Sequence, residues 1–142
     1  MKLVLDTNVV IDWLVFDDPF LASFRSSVVD KQTTVVTHLP AVVELQRVLG
    51  YRTLKLPVER QSDVLVRYEA LTTRVEVSDE ALPERFPRCR DSDDDHFLAL
   101  AWHAKADAVV SRDKAVLKLA KKAKKFGFQV LTVPELGARF SG

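Results

Sequence analysis

Asp6 ends the apolar run KLVL, and Asp113 stands two residues beyond the run DAVVS. Glu44 sits within AVVELQRVL, and Asp91, Asp93, Asp94 and Asp95 crowd the start of DDDHFLALAWHAK. Carboxylates gathered in one place raise one another's pKa and cost folding energy. A divalent cation offsets that cost. Oxygen ligands without thiolate or imidazole favour Mg²⁺ or Mn²⁺ over Zn²⁺. The chemistry such a site performs is activation of water and clamping of phosphoryl oxygens. No side-chain nucleophile competes with this reading, since neither Ser111 nor Cys89 has an adjacent histidine. Cys89 reads as a small hydrophobe, and His96 as a histidine on a helix surface.

Each acid also has a local reading. Asp6 or Thr7 can cap the helix that NVVIDWLV begins, and Asp113 can cap the lysine-rich helix after it. DSDDD places negative charge on the positive end of a helix dipole. Glu44 resists such an account. Its neighbours Val42, Val43, Leu45, Val48 and Leu49 put it in an apolar face, where a lone carboxylate is expensive.

The elements that would position these acids alternate. KLVL, TTVVTH, DAVVS and FQVLTV read as strands, and RVEVS as a short one. Helices are expected over NVVIDWLV, from Pro19 through PFLASFRSSVVDK, and from Pro40 to a closing Gly50. Three more follow at VERQSDVLVRYEALT, DDDHFLALAWHAK and DKAVLKLAKKAKKFG, the last closed by Gly127, with PELGARF as a final short helix. Residues 79–90, with Pro83 and Pro87, read as loop. Alternating strands and helices imply a mostly parallel sheet between helical layers, a single α/β/α domain over residues 1–142. In a parallel sheet all strand C-termini share one rim, so Asp6 and Asp113 must meet there. Capping does not explain that coincidence.

With 142 residues and 47% apolar content the chain has the make-up of a soluble globular domain. Its single cysteine excludes an internal disulfide framework and suits a reducing, cytoplasmic setting. No apolar stretch approaches the roughly 20 residues that span a bilayer, and no signal peptide is legible.

LVLDTNVV, AVVELQRVL and CRDSDDDHFLALAWHAKADAVVSRDKAVL together resemble the PIN-domain ribonucleases, in particular the VapC-like branch whose members are toxins of toxin–antitoxin systems. The resemblance runs from Lys2 to about Leu136. It implies a Mg²⁺- or Mn²⁺-dependent nuclease that cuts single-stranded RNA, with an antitoxin protein and a homodimer as the partners it allows. Carried over by position, Asp6, Glu44 and Asp113 match three of the acids. Asp94 fits the remaining one best, with Asp91 and Asp95 as further candidates. Thr7 and Asn8 match the small polar pair that steadies the first acid. One departure is SRD in place of the family's usual TGD, which sets Arg112 beside the site.

A polyanionic substrate needs cations near the rim, and Arg47, Arg90, Arg112 and Lys114 stand close in sequence to the acids. Lys114, Lys118, Lys121 and Lys125 recur at helical spacing, which makes either a solvated face or a track for a nucleic-acid backbone. Two other strand-end carboxylate enzymes fit less well. An aspartyl phosphatase wants a second acid at position 8, which is Asn, and a receiver domain has no use for Glu44, Asp94 and Asp113. A non-enzymatic rival keeps the fold as a metal-stabilised RNA-binding or scaffold module that does not cleave.

Overall fold

The computed structural model describes residues 1–77, 81–89 and 94–140. Its strands β1 (Lys2–Leu5), β2 (Thr34–Thr37), β3 (Thr72–Arg74), β4 (Ala108–Val110) and β5 (Gln129–Leu131) form one parallel sheet in the order β3-β2-β1-β4-β5. The helices among the described residues are α1 (Thr7–Leu14), α2 (Ala22–Val29), α3 (Leu39–Leu49), α4 (Val58–Leu71), α5 (Asp95–Ala104), α6 (Lys114–Leu117), α7 (Ala120–Lys124) and α8 (Val133–Phe140).

Strand alternation sorts the core onto two faces. Leu3, Leu5, Val35, Ala108, Val110 and Leu131 point to one side, where α1 to α4 and α8 cover them with Val10, Phe24, Leu45, Val64 and Leu136. Val4, Val36, Val109 and Val130 point to the other, beneath Phe97, Leu98 and Leu100 of α5, Val116 of α6 and Ala123 of α7. KLVL reads as an unbroken apolar run because β1 is central and buried on both faces. The three-layer parallel architecture expected from the sequence is the one observed.

The strand order has a consequence for ligands. From β1 the chain moves outward to β2 and β3, then returns across the sheet to β4 and on to β5. The connections leaving β1 and β4 therefore diverge, which opens a crevice at the C-terminal ends of these two neighbours. Leu5 pairs with Val110, and the Asp6 amide donates to the Val110 carbonyl at 3.0 Å. The residues that follow both strands are thereby held side by side.

Local expectations fail in three places. The strand after α4 begins at Thr72 rather than Arg74 and ends at Arg74. Its partner β2 stops at Thr37, so beyond a last bond from the Val75 amide to Thr37 there is no ladder to extend. The single helix expected after Asp113 is two helices, broken at Lys118 and Leu119. There the Leu119 amide reaches back only three residues, to Val116, and the tighter turn brings Leu119 down onto the core. Pro19 opens a short 3-10 turn, Pro19–Leu21, ahead of α2 instead of one continuous helix. Gly50 caps α3 at φ −83°, an ordinary right-handed value, whereas Gly127 follows α7 at φ +90° and does need to be glycine.

One ion pair secures the loop after β4. Arg112 donates two hydrogen bonds to the Asp12 carboxylate of α1, at 2.8 and 3.0 Å. Asp12 is only 8% exposed at its side chain, while Arg112 is 56% exposed. Replacing Arg112 by Met strands a largely buried carboxylate. We expect a loss of about 1–2 kcal/mol, less than the roughly 3–5 of a wholly buried pair because solvent reaches the guanidinium side. Asp12→Asn in the same background should recover part of the loss, read from denaturant melts of the four variants as a double-mutant cycle. Additive effects would mean that the pair contributes nothing.

Candidate active site

Asp6 both caps a helix and faces the crevice. Its backbone is extended, and one carboxylate oxygen accepts from the Val9 amide at 3.1 Å, closing the first turn of α1. The other oxygen accepts from the Ser111 hydroxyl. At 4% exposure, burial raises its pKa, and the Ser111 and Val9 hydrogen bonds oppose that rise. The same Ser111 oxygen accepts from the Asp113 amide at 3.0 Å, so one fully buried hydroxyl joins the acids that follow β1 and β4. Asp113 in turn caps α6 through the Ala115 amide at 2.8 Å.

Asp94 precedes α5 but makes no side-chain capping bond. Its carboxyl lies against that of Asp113. Burial, that contact and the charges of Asp113, Asp6 and Glu44 push its pKa up to about 7. Asp95, one residue on, turns a carboxylate oxygen to the Cys89 amide and so serves the loop before α5. Burial and the nearby Asp95 and Asp94 charges push the Cys89 thiol up to about 12, which keeps it inert.

Glu44 approaches from α3. The expected apolar surround is not what holds it, because Val43 is 55% exposed. Instead the Thr7 hydroxyl donates to one Glu44 oxygen, Arg47 lies 3.8 Å from the other, and His96 Nε2 lies 3.9 Å from the first. Burial works to raise its pKa, but hydrogen bonds from His96 and Thr7 and the charges of His96 and Arg47 leave it below the usual carboxylate value. Thr7 thus steadies Glu44 rather than Asp6. His96 is half-buried, not a surface histidine, with Nδ1 2.9 Å from His38 Nε2. His38 is 3% exposed, and burial together with the His96 charge lowers its pKa to about 4, so it is neutral.

Asp6, Thr7, Asn8, Glu44, Asp94 and Asp113 line one pocket of about 340 Å³, closed by Arg47, Val48, Tyr51, Thr53 and Leu54. Four carboxylates from four separate segments therefore meet at the crevice between β1 and β4. Among the described residues no three acidic or imidazole side chains close on a single point, so holding one ion there would require some of them to rotate. The donor set itself suits a hard cation, being all oxygen, with two of its members raised in pKa by burial and mutual charge.

Other expected residues are placed differently. Asp95 is not in the lining, and Arg90 and Asp91 lie outside the described residues. Of the expected cations only Arg47 borders the pocket. Arg112 is committed to Asp12 instead of facing a substrate. Lys114 on α6, Lys118 at the break and Lys121 on α7 are exposed and outside the lining, and the break interrupts their stripe. Ser111 and His38 were not singled out as supports of the site. The signal for Ser111 was a small polar residue ending a buried strand two positions before an acid. His38 gave no such signal.

Among solved structures the fold matches a chain of VapBC2 from Rickettsia felis, crystallised with a DNA fragment from their promoter. The two are 14% identical with a TM-score of 0.57, and the match covers 93% of this chain and 98% of that one. At that identity the likeness is one of fold. No curated protein matches in sequence. The PIN domain profile matches residues 2–115, a stretch holding Asp6, Glu44, Asp94 and Asp113, and the chain belongs to the PIN domain family.

Proposed function

We propose that this protein is a Mg²⁺- or Mn²⁺-dependent endoribonuclease that cleaves single-stranded RNA and acts as the toxin of a toxin–antitoxin pair. The observation that carries the reading is the lining of one crevice by Asp6, Glu44, Asp94 and Asp113. PIN family membership and the likeness of fold to a VapBC2 chain support it, and the latter suggests an antitoxin protein as partner.

Asp6, Glu44, Asp94 and Asp113 would hold the cation. When bound, it supplies charge neutralisation and a water of lowered pKa beside the phosphodiester. The protein's own groups do the positioning. Ser111 holds Asp6 and the Asp113 backbone in register, and Thr7 with His96 sets the Glu44 carboxylate. Arg47, on the pocket wall, offers a cation to a substrate phosphate. The exposed lysines of α6 and α7 extend positive charge beyond the pocket, as a track for the backbone of a longer strand. Among the described residues no helix is long and apolar enough to cross a membrane.

Asp6→Asn, Glu44→Gln, Asp94→Asn and Asp113→Asn should each lower cleavage of single-stranded RNA by at least about 100-fold. Losing even an outer partner of a metal ligand costs roughly 10–100-fold, and these are the proposed ligands themselves. Wild-type turnover in any variant removes that residue from the site. Wild-type protein that binds RNA without cutting it in either Mg²⁺ or Mn²⁺ is the non-cleaving module instead.

A second expectation concerns stability without metal. Asp94 carries a pKa raised from 3.8 to about 7, so the folded state holds this proton more tightly than the unfolded state. Its ionisation therefore destabilises the fold progressively as pH rises from about 4 to about 7, and fully above that. In EDTA, Asp94→Asn should be more stable than wild type at pH 8, and the advantage should shrink as pH falls through 7. His38 titrates in the opposite sense, but it does so in both proteins and cancels. Millimolar Mg²⁺ should erase the advantage by stabilising the ionised wild type. Melting temperatures across pH decide the matter, and parallel curves would show that Asp94 is not crowded.

Reversing Lys118 and Lys121 to Glu should weaken RNA binding for every sequence and reduce the salt slope, log Kd against log salt, by at least about 1.4. Mn²⁺ affinity should stay unchanged. An unaltered slope assigns these lysines to solvent.

A further inference from the structure

On the α3 and α5 side of the pocket, two imidazoles lie in series behind one carboxylate. His38, the residue between β2 and α3, places Nε2 2.9 Å from Nδ1 of His96 in the first turn of α5. The rings are tilted by 39° with centroids 5.0 Å apart. Nε2 of His96, the far side of that ring, lies 3.9 Å from the Glu44 oxygen that also accepts from Thr7. Nδ1 of His38 is buried and finds no partner among the described residues.

We propose that His38 and His96 form a relay that orients the Glu44 carboxylate, with His38 Nε2–H donating to His96 Nδ1 and His96 Nε2–H directed at Glu44. With both rings neutral, each has one N–H and one lone pair, so the contact between them admits two arrangements. If His96 donated through Nδ1, its Nε2 lone pair would face a carboxylate. His38 would then carry its proton on Nδ1, leaving a buried N–H without an acceptor, which costs about 1–3 kcal/mol. The proposed arrangement avoids the first penalty and exchanges the second for an unpartnered ring lone pair on His38, an orphaned acceptor being tolerated in native structures more readily than an orphaned N–H. It fixes the face that His96 presents to Glu44, much as a ligand's outer partners set its orientation in a metal site.

Both histidines are therefore positioning residues, and the inference rests on the proposed function only for its effect on metal affinity. Thr7 and His96 converge on one Glu44 oxygen from different elements, α1 and α5, and so leave the other oxygen beside Arg47 at the pocket wall. The relay couples three segments: the end of β2, the start of α5 and the middle of α3.

Long-range ¹H–¹⁵N spectra of protein labelled in histidine, in EDTA at pH 7.5, read the tautomers directly. Both His38 and His96 should carry the proton on Nε2, and Nδ1–H on either would overturn the relay. Mn²⁺ titration of the intact chain gives a second readout. His96→Phe should weaken Mn²⁺ affinity by about 10-fold, while His96→Gln, whose carboxamide N–H can replace Nε2–H, should stay within about 3-fold of wild type. Phe and Gln variants with equal affinities would overturn the relay, since filling space alone would then suffice. A wild type that binds no Mn²⁺ would refute the proposed nuclease instead, and the tautomers would still decide the relay.

Discussion

The repulsion among Asp6, Glu44, Asp94 and Asp113 is the constraint that the rest of the fold must absorb. Each comes from a different segment, and each would be better solvated if its segment moved a few ångströms outward. They stay because their backbones are committed elsewhere. Asp6 cannot leave while its amide bonds Val110 and its carboxylate closes the first turn of α1. Asp113 begins α6 in the same manner. The sheet and its helices, held by two layers of buried aliphatic and aromatic side chains, supply the energy that keeps like charges together. A raised pKa at Asp94 is the local record of that cost.

The opposition between a capping acid and a chemical acid dissolves at Asp6 and Asp113. A carboxylate has two oxygens and about four acceptor sites, so one bond to a backbone amide leaves the remainder free. Capping also fixes the side-chain torsion, and a fixed carboxylate loses less entropy when it takes up a ligand. The helix dipole adds a further effect, since a cap sits where the helix is positive and its ionised form is favoured there. Capping and binding are thus mutually supporting, and a sequence signature for one cannot argue against the other.

What could be read in the sequence was whatever depends on one-dimensional pattern. The apolar runs KLVL and DAVVS announced buried parallel strands, and parallel direction alone required Asp6 and Asp113 to share a rim. The middle helix with Glu44 and the acid-led helix with Asp94 were legible for the same reason. Partner choice was not legible, because it depends on which side chains meet across the crevice. Arg112 was read as a substrate cation and is bound to Asp12, a residue 100 positions away in sequence. Thr7 was assigned to its neighbour Asp6 and serves Glu44, 37 positions away. The break at Leu119 escaped for a different reason. A run of lysines and alanines has strong helix propensity throughout, and only the need to bury Leu119 interrupts it.

His38 is the most instructive omission. A histidine at the end of a strand carries no periodic signal, and its surroundings in the chain, TTVVTHLP, suggest only a turn into a helix. Its environment is set by α5, which returns from beyond β3 to cover the opposite face of the sheet. The strand order that opens the crevice also sends α3 and α5 down either side of β2 and β1, so the residues at their N-terminal ends face each other across the rim. The same topology that gathers the carboxylates therefore gathers their supports. Ser111 bridges Asp6 and Asp113 on the β4 side, while Thr7 and His96 close on Glu44 from the other. Hydroxyl donors thus satisfy the Asp6 and Glu44 carboxylates without adding charge, while Asp94 and Asp113 lie directly against each other. Arg47 is the one cation in the lining, 3.8 Å from Glu44, and it leaves Asp6, Asp94 and Asp113 without a cationic partner among the described residues. The hydroxyls of Ser111 and Thr7 orient Asp6 and Glu44 and leave the carboxylate charges in place.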